Sequence, residues 1–184
     1  MVIRKALAYS KKHRTAFTRR SKAVKHLNYI KVVPLQKVTK FNMGDVPKYE
    51  RGEFKYRLSI ITTIHVQIRD LALEAARQFL NNNIQKKLMQ DYYLACKPYP
   101  HQVLRDNKTF SGGSKGERIQ SGMSHSFGTS TGRAAYIRMG EPVYVIAFND
   151  ITQLNFLRGL CKSVSPKLPC KTRVLFEEVA LKAK

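Results

Sequence analysis

Cations and aromatic rings alternate in the N-terminal part of the sequence, where no acidic residue precedes Asp45. The rings are Tyr9, Phe17 and Tyr29. The cations are Arg4, Lys5, Lys11, Lys12, Arg14, Arg19, Arg20, Lys22 and Lys25. Cations neutralise phosphates and rings stack on bases, so this segment is predicted to contact RNA. A solvated tail or a basic targeting signal is the alternative, but rings interleaved with arginines favour RNA.

A glycine-rich segment, residues 106–132, is the second candidate for chemistry. Its glycines are Gly112, Gly113, Gly116, Gly122, Gly128 and Gly132. The stretch from Ser111 to Arg118 lacks the spacing of a nucleotide-binding phosphate loop, and no amphipathic helix follows it. Its backbone amides and the cations Lys108, Lys115 and Arg118 are suited to RNA phosphates or to a distant partner. A floppy surface loop is the plainer alternative.

The remaining polar residues do not form a catalytic or metal-binding pattern. The five histidines lack ligand spacing, so neither a metal nor a cofactor is predicted. Asp70 and Glu74 lie one helical turn apart, but Arg69 and Arg77 flank them and favour surface ion pairing. Because no base is placed beside a nucleophile, the sequence predicts a protein that is not an enzyme.

Composition indicates a folded body with a polyanionic partner. Hydrophobic residues make up 43% of the chain, yet 34 Lys and Arg against 12 Asp and Glu give a formal net charge of +22. Nucleic acid is the commonest partner of such a surface. Neither an apolar membrane span nor a secretory signal is recognisable, so we expect a cytoplasmic protein without membrane attachment. The odd number of well-separated cysteines indicates reduced thiols.

The elements that must position these residues form an irregular mixture of strands and helices. We predict a basic arm over residues 1–44 and a single domain over residues 45–184. A helix is predicted from Ile68 to about Asn82, ended by Asn81, Asn82 and Asn83, and a second is capped by Asp150 or Thr152 and ends before Pro166. Strands are predicted at Tyr56–Val66, Gln90–Cys96, Gln102–Arg105, Arg133–Met139, Pro142–Phe148 and Thr172–Phe176. This order predicts an α+β layer structure.

Four ordered motifs resemble one protein family. They are Leu71-Ala-Leu-Glu-Ala-Ala-Arg77, Pro100-His-Gln-Val-Leu-Arg-Asp-Asn-Lys108, Arg118-Ile-Gln-Ser-Gly-Met123 and Phe127-Gly-Thr-Ser-Thr-Gly-Arg-Ala-Ala135. Phe41-Asn-Met-Gly44 and Lys167-Leu-Pro-Cys-Lys-Thr-Arg-Val174 extend the likeness over nearly the whole chain. The family is that of the large-subunit ribosomal protein called L-sixteen in bacteria and L-ten-e in archaea and eukaryotes. The C-terminal part resembles the archaeal form.

The resemblance implies a two-layer, hammerhead-like sandwich of mixed, mainly antiparallel strands with two helices. It implies binding to large-subunit ribosomal RNA near the path of transfer RNA, with neighbouring ribosomal proteins as further partners and no homo-oligomer. Ribosomal RNA would be held by the arm together with Arg133 and Arg138. Arg105, Lys108, Lys115 and Arg118 would lie on a loop directed toward transfer RNA and the peptidyl transferase region.

Two other classes of function remain as alternatives to a structural ribosomal protein. An RNA-processing or RNA-modification factor requires a pocket that joins an acid/base pair to a cofactor or metal. A DNA-binding protein requires a recognition motif such as a helix-turn-helix or a zinc finger. The sequence contains none of these patterns, so both alternatives are weaker than the ribosomal interpretation.

Overall fold

The fold is known from a computed structural model that describes residues 5–11, 32–106 and 129–179, with Arg105, Asp106 and Thr129 described by their backbone alone. The described strands are β1 (Asn42–Gly44), β2 (Tyr56–Thr62), β3 (Val66–Arg69), β4 (Tyr93–Cys96), β5 (Gln102–Asp106), β6 (Thr129–Ile137), β7 (Pro142–Phe148) and β8 (Thr172–Glu178). The described helices are α1 (Val46–Glu50), α2 (Asp70–Leu88) and α3 (Leu154–Val164). Short 3-10 turns flank α3 at Ile151–Gln153 and Ser165–Lys167.

Five strands form the larger sheet, in the antiparallel order β1-β4-β7-β2-β8. β7 has the predicted bounds, and Pro142 occupies its first position, where a missing N–H is tolerated. One face of the sheet, including Leu58, Ile60 and Ile146, packs in the main core with α2 and α3. The opposite face holds a smaller apolar cluster beside α1.

The smaller sheet has the antiparallel order β3-β6-β5. β5 and β6 form a hairpin in which Asp106 faces Thr129, so the last four residues of the predicted glycine-rich segment belong to β6 and the connection between the strands is limited to residues 107–128. With two antiparallel sheets and a few helices, the predicted α+β class is confirmed.

The main helix, α2, begins two residues later and ends about six residues later than predicted. It continues through the three asparagines to Leu88, because burial of Ile84 outweighs the cost of placing asparagine in a helix, about 0.7 kcal/mol per residue relative to alanine. Asn83 donates its side-chain N–H to the Phe79 carbonyl oxygen at 2.7 Å rather than ending the helix. Its core-facing side buries Ala72, Ala76 and Leu80, whereas Ala75 is exposed.

The remaining boundaries differ locally from the predictions. The predicted strand Tyr56–Val66 is divided between β2 and β3 by a bend. The predicted connection after Asp45 contains α1, whose N-terminus is capped by the Asp45 carboxylate, 2.9 Å from the Lys48 backbone nitrogen. Asp150 caps the 3-10 turn before α3 rather than α3 itself, and α3 ends before Pro166 as predicted.

The three cysteines are free and buried. Burial raises the pKa of Cys96 and of Cys161 to about 12, so both thiols remain protonated at neutral pH. No helix within the described parts of the chain is long and apolar enough to span a bilayer.

Candidate RNA interface

Residues 32–41, named here the strap, are bound to the first half of α2. The Lys37 backbone N–H donates to the Asp70 carboxylate at 3.2 Å. Thr39 donates from its backbone nitrogen to one Glu74 oxygen at 3.3 Å and from its hydroxyl to the other at 3.2 Å. Two carboxylates of one helix therefore position a segment that precedes them by more than thirty residues.

The Glu74–Arg77 ion pair lies inside the protein, so the predicted surface pairing is corrected. Glu74 is 8% exposed and Arg77 is 8% exposed, because the strap covers this face of α2. Arg77 donates to both Glu74 oxygens, at 2.8 and 2.6 Å, and Gln78 donates to one at 2.8 Å. Burial acts to raise the pKa of Glu74, but these bonds outweigh it and lower that pKa to about 2. For Asp70, burial raises the pKa despite backbone donors that lower it.

A second N-terminal piece, residues 5–11, covers the free edge of β3. Gln67 donates its backbone N–H to the Ser10 carbonyl oxygen at 2.9 Å and its side-chain amide to the Tyr9 carbonyl oxygen at 3.0 Å. Arg69 donates to the Lys5 carbonyl oxygen at 2.7 Å. These bonds use the backbone of the segment and leave the Lys5 and Lys11 side chains exposed.

The arm predicted over residues 1–44 therefore contacts the body where it is described. Val38 and Met43 belong to the core, and β1 pairs with β4, so packed structure extends N-terminal of residue 45. Of the predicted arm cations, Lys5 and Lys11 are described. Arg4, Lys12, Arg14, Arg19, Arg20, Lys22 and Lys25 lie outside the described residues.

The two arginines predicted on the body occupy different environments. Arg133, on β6, is half-buried and donates from Nε to the Pro34 carbonyl oxygen at 2.6 Å, so it holds the strap. Arg138 is exposed beyond the end of β6, and its carbonyl oxygen accepts from the Thr62 hydroxyl at 2.9 Å. Its side chain therefore faces solvent on a turn whose backbone is fixed.

The side chains of the predicted loop cations lie outside the described parts of the structure. Arg105 lies on β5, one residue before the strand ends, and only its backbone is described. Lys108, Lys115 and Arg118 lie outside the described residues. Because β5 and β6 pair up to Asp106 and Thr129, the two ends of the loop are set by the hairpin.

Most acidic side chains of the described body form bonds within the protein. Each of the following either forms an ion pair or accepts a backbone hydrogen bond: Asp45, Glu53, Asp70, Glu74, Asp91, Glu141, Asp150 and Glu177. The larger number of lysines and arginines consequently determines the surface potential. Within the described parts, no cluster of three or more His, Cys, Asp or Glu side chains could hold a metal ion.

Comparison with known proteins decides between the alternatives. The family model for ribosomal protein L16p/L10e matches residues 12–175. The chain belongs to this family. A relative named large ribosomal subunit protein uL16 from Sulfolobus acidocaldarius is 37% identical over 95% of this chain and 93% of its own.

Further relatives of the same name support an archaeal-type member. The one from Saccharolobus solfataricus is 38% identical over 79% of this chain and 80% of its own, and one from Saccharolobus islandicus is 37% identical over the same shares. The family predicted from the motifs is thereby confirmed.

A groove lined by three lysines was not predicted from the sequence. An open groove of about 720 Å³ separates residues 5–7 from the turn after α3, and Lys5, Lys162 and Lys171 line it. Lys162 lies on an amphipathic helix and Lys171 directly before β8, with no motif to connect them to the N-terminus. Only their spatial proximity identifies the groove.

Proposed function

We propose that the arm cations, with Arg133 and Arg138, bind large-subunit ribosomal RNA, and that the glycine-rich loop helps position transfer RNA near the peptidyl transferase region. Family membership makes the chain a structural protein of the large ribosomal subunit and not an enzyme, located on the ribosome in the cytoplasm. Within the proposal, Arg105, Lys108, Lys115 and Arg118 serve the loop. Neighbouring ribosomal proteins are the other partners of a single copy.

The distribution of charge carries this proposal. Acidic groups bind the strap, cap α1 and form ion pairs with cations of the body, whereas Lys5, Lys11 and Arg138 are exposed on the described surface. A basic surface that its own acids do not neutralise fits a phosphate backbone, whose binding releases counterions. The relatives are large ribosomal subunit proteins, which agrees with this partner.

A paired charge reversal tests the proposal. The full chain carrying Lys11→Glu and Arg138→Glu should bind large-subunit ribosomal RNA with a logarithmic salt slope lower by about 1.4 to 1.8, since each lost phosphate contact removes about 0.7 to 0.9. Lys86→Glu, an exposed change at the C-terminal end of α2, is the control. Filter-binding titrations across salt concentrations measure the slope. An unchanged slope for the double reversal would remove these two residues from the RNA interface.

The loop assignment needs a separate measurement. Large subunits assembled with Lys108→Ala, Lys115→Ala and Arg118→Ala together should sediment normally but bind transfer RNA more weakly. Normal transfer RNA binding would restrict the function to scaffolding, and failure to sediment with the subunit would instead assign the loop to assembly.

A further inference from the structure

Three aromatic rings form a ladder: Phe41, directly before β1, and Tyr99 and His101, in the connection between β4 and β5. The Phe41 and Tyr99 rings stack with centroids 5.5 Å apart and an interplanar angle of 27°. The Tyr99 and His101 rings follow with centroids 5.6 Å apart and an angle of 38°. Phe41 packs against the main core, whereas Tyr99 is 45% exposed and His101 is exposed. The ladder therefore has an anchored inner ring and accessible outer rings.

The backbone and a neighbouring arginine hold the middle ring in place. Pro98 and Pro100 flank Tyr99, which limits the backbone conformations open to this residue. Arg133 Nη1 lies 3.5 Å from the Tyr99 hydroxyl oxygen, while Nε of the same guanidinium donates to the strap. A ring that is already ordered loses little conformational entropy when another ring stacks on it.

One arginine contacts the ladder, and two exposed lysines lie close to its rings along the chain. The Cys96 backbone N–H donates to the Phe41 carbonyl oxygen at 2.7 Å, which extends the β1–β4 pairing by one residue. Lys40 directly precedes Phe41 and Lys97 directly follows Cys96, and both lysines are exposed. Arg133 contacts the Tyr99 hydroxyl, and the two lysines flank the ladder along the chain, so cations are available to an RNA strand that follows it.

We propose that the Phe41–Tyr99–His101 ladder is a docking site for an unpaired RNA base, which stacks on the exposed rings while its phosphates contact the neighbouring cations. This inference rests on the proposed binding of ribosomal RNA and specifies one place where recognition uses the base and not the backbone. Aromatic rings beside arginine and lysine are how proteins bind unstacked bases. Apolar docking of a protein segment would not require the three cations.

Matched ring substitutions in the full chain test the inference. Tyr99→Ala should lower the affinity for large-subunit ribosomal RNA about fivefold or more, whereas Tyr99→Phe, which keeps the ring, should retain it. His101→Ala and His101→Phe provide a second pair at the outermost ring, where a change does not disturb the core. Ile151→Ala, an exposed apolar change before α3, is the control. Ultraviolet cross-linking followed by mass spectrometry should join an RNA base to the peptide containing Tyr99.

The outcomes separate this inference from the broader proposal. Unchanged affinity for both alanine variants overturns the docking site, with or without a cross-link, and leaves the broader proposal standing if the Lys11 and Arg138 reversal still weakens binding. Equal losses for Tyr99→Ala and Tyr99→Phe assign the contact to the hydroxyl group and also overturn stacking. If the unaltered chain does not bind ribosomal RNA at all, both proposals fail.

Discussion

Asp70 and Glu74 show how the role of a residue depends on what covers it. Their helical spacing and arginine neighbours predict ion pairs on the surface, but the strap covers that face and its amides bind the carboxylates. Pairing between Glu74 and Arg77 was predictable because residues three apart share a helix face. The burial of Glu74 was not predictable, because it is caused by the strap, which is distant in sequence and has no hydrophobic periodicity. The same limit applies to Arg133, whose contact with Pro34 is set by tertiary packing alone.

At the level of single residues, we predict that Glu74 makes stability depend on acidity. Its pKa is lowered from 4.5 to about 2, so the ionised carboxylate stabilises the folded state above pH 4.5 and this contribution is lost as the pH falls toward 2. Glu74→Gln should lower the free energy of unfolding at pH 7 by about 2 to 3 kcal/mol. In this variant the free energy of unfolding should also decrease less steeply below pH 4.5 than in the unaltered protein. Urea unfolding at pH 7, 4.5 and 3 measures both effects.

Thr39→Val is the matched control, because it removes only the hydroxyl donor and leaves the carboxylate and Arg77 in place. It should lower the stability by about 0.5 to 1.5 kcal/mol while the acid-dependent loss persists. If Glu74→Gln lost stability below pH 4.5 as steeply as the unaltered protein, another group would be responsible.

At the level of elements, alternating apolar residues located most strands, and the bounds of β7 were predicted correctly. The pattern failed where tertiary contacts outweighed local preference, as in the extension of α2 past its asparagines. It also could not indicate how strands are ordered. Membership of β2 and β3 in different sheets depends on partners far along the chain, and β3 itself was not predicted, because the predicted strand ended at Val66 and the predicted helix began at Ile68.

The β5–β6 hairpin predicts that the glycine-rich loop can be removed without loss of the fold. Because Asp106 faces Thr129, a short Gly-Ser turn can replace residues 107–128 and join the strands at their existing separation. The melting temperature should change by less than about 4 °C, the shift that about 1 kcal/mol produces in a chain of this size. Transfer RNA handling by assembled subunits should be impaired. A large drop in melting temperature would show that the loop contributes to the core.

Residues 5–11, unlike the loop, are predicted to stabilise the fold, because their backbone is hydrogen-bonded to the edge of β3. Deleting residues 1–11 should lower the melting temperature by several degrees, since about three hydrogen bonds of roughly 1 kcal/mol each are lost. Thermal unfolding monitored by circular dichroism measures the shift. Lys5→Ala with Lys11→Ala is the control, because it keeps the backbone bonds and should leave the melting temperature unchanged. Equal melting temperatures for the deletion and the intact chain would show that the edge bonds are not stabilising.

At the level of the whole molecule, the net charge of +22 predicts binding that weakens steeply with salt. Each neutralised phosphate contributes about 0.7 to 0.9 to the logarithmic slope, so the full chain should show a slope of at least about 3 with large-subunit ribosomal RNA. Titrations between low and physiological salt measure it. The partner class could be predicted from composition because net charge does not depend on how the chain folds. A slope near 1 would show that few of these cations reach phosphate.

The position of β2 between β7 and β8 has a consequence for synthesis. Arg57 and its β8 partner Glu177 are separated by 120 residues, and the pairing that joins these two strands cannot form until the later one has been made. At about 5 to 20 residues per second, β2 waits about 6 to 24 seconds with an open backbone edge after leaving the synthesising ribosome. During that interval a strand rich in isoleucine and leucine can pair with another nascent chain. Faster elongation through the second half of the message should therefore raise the yield of folded protein, and pauses placed there should favour aggregation.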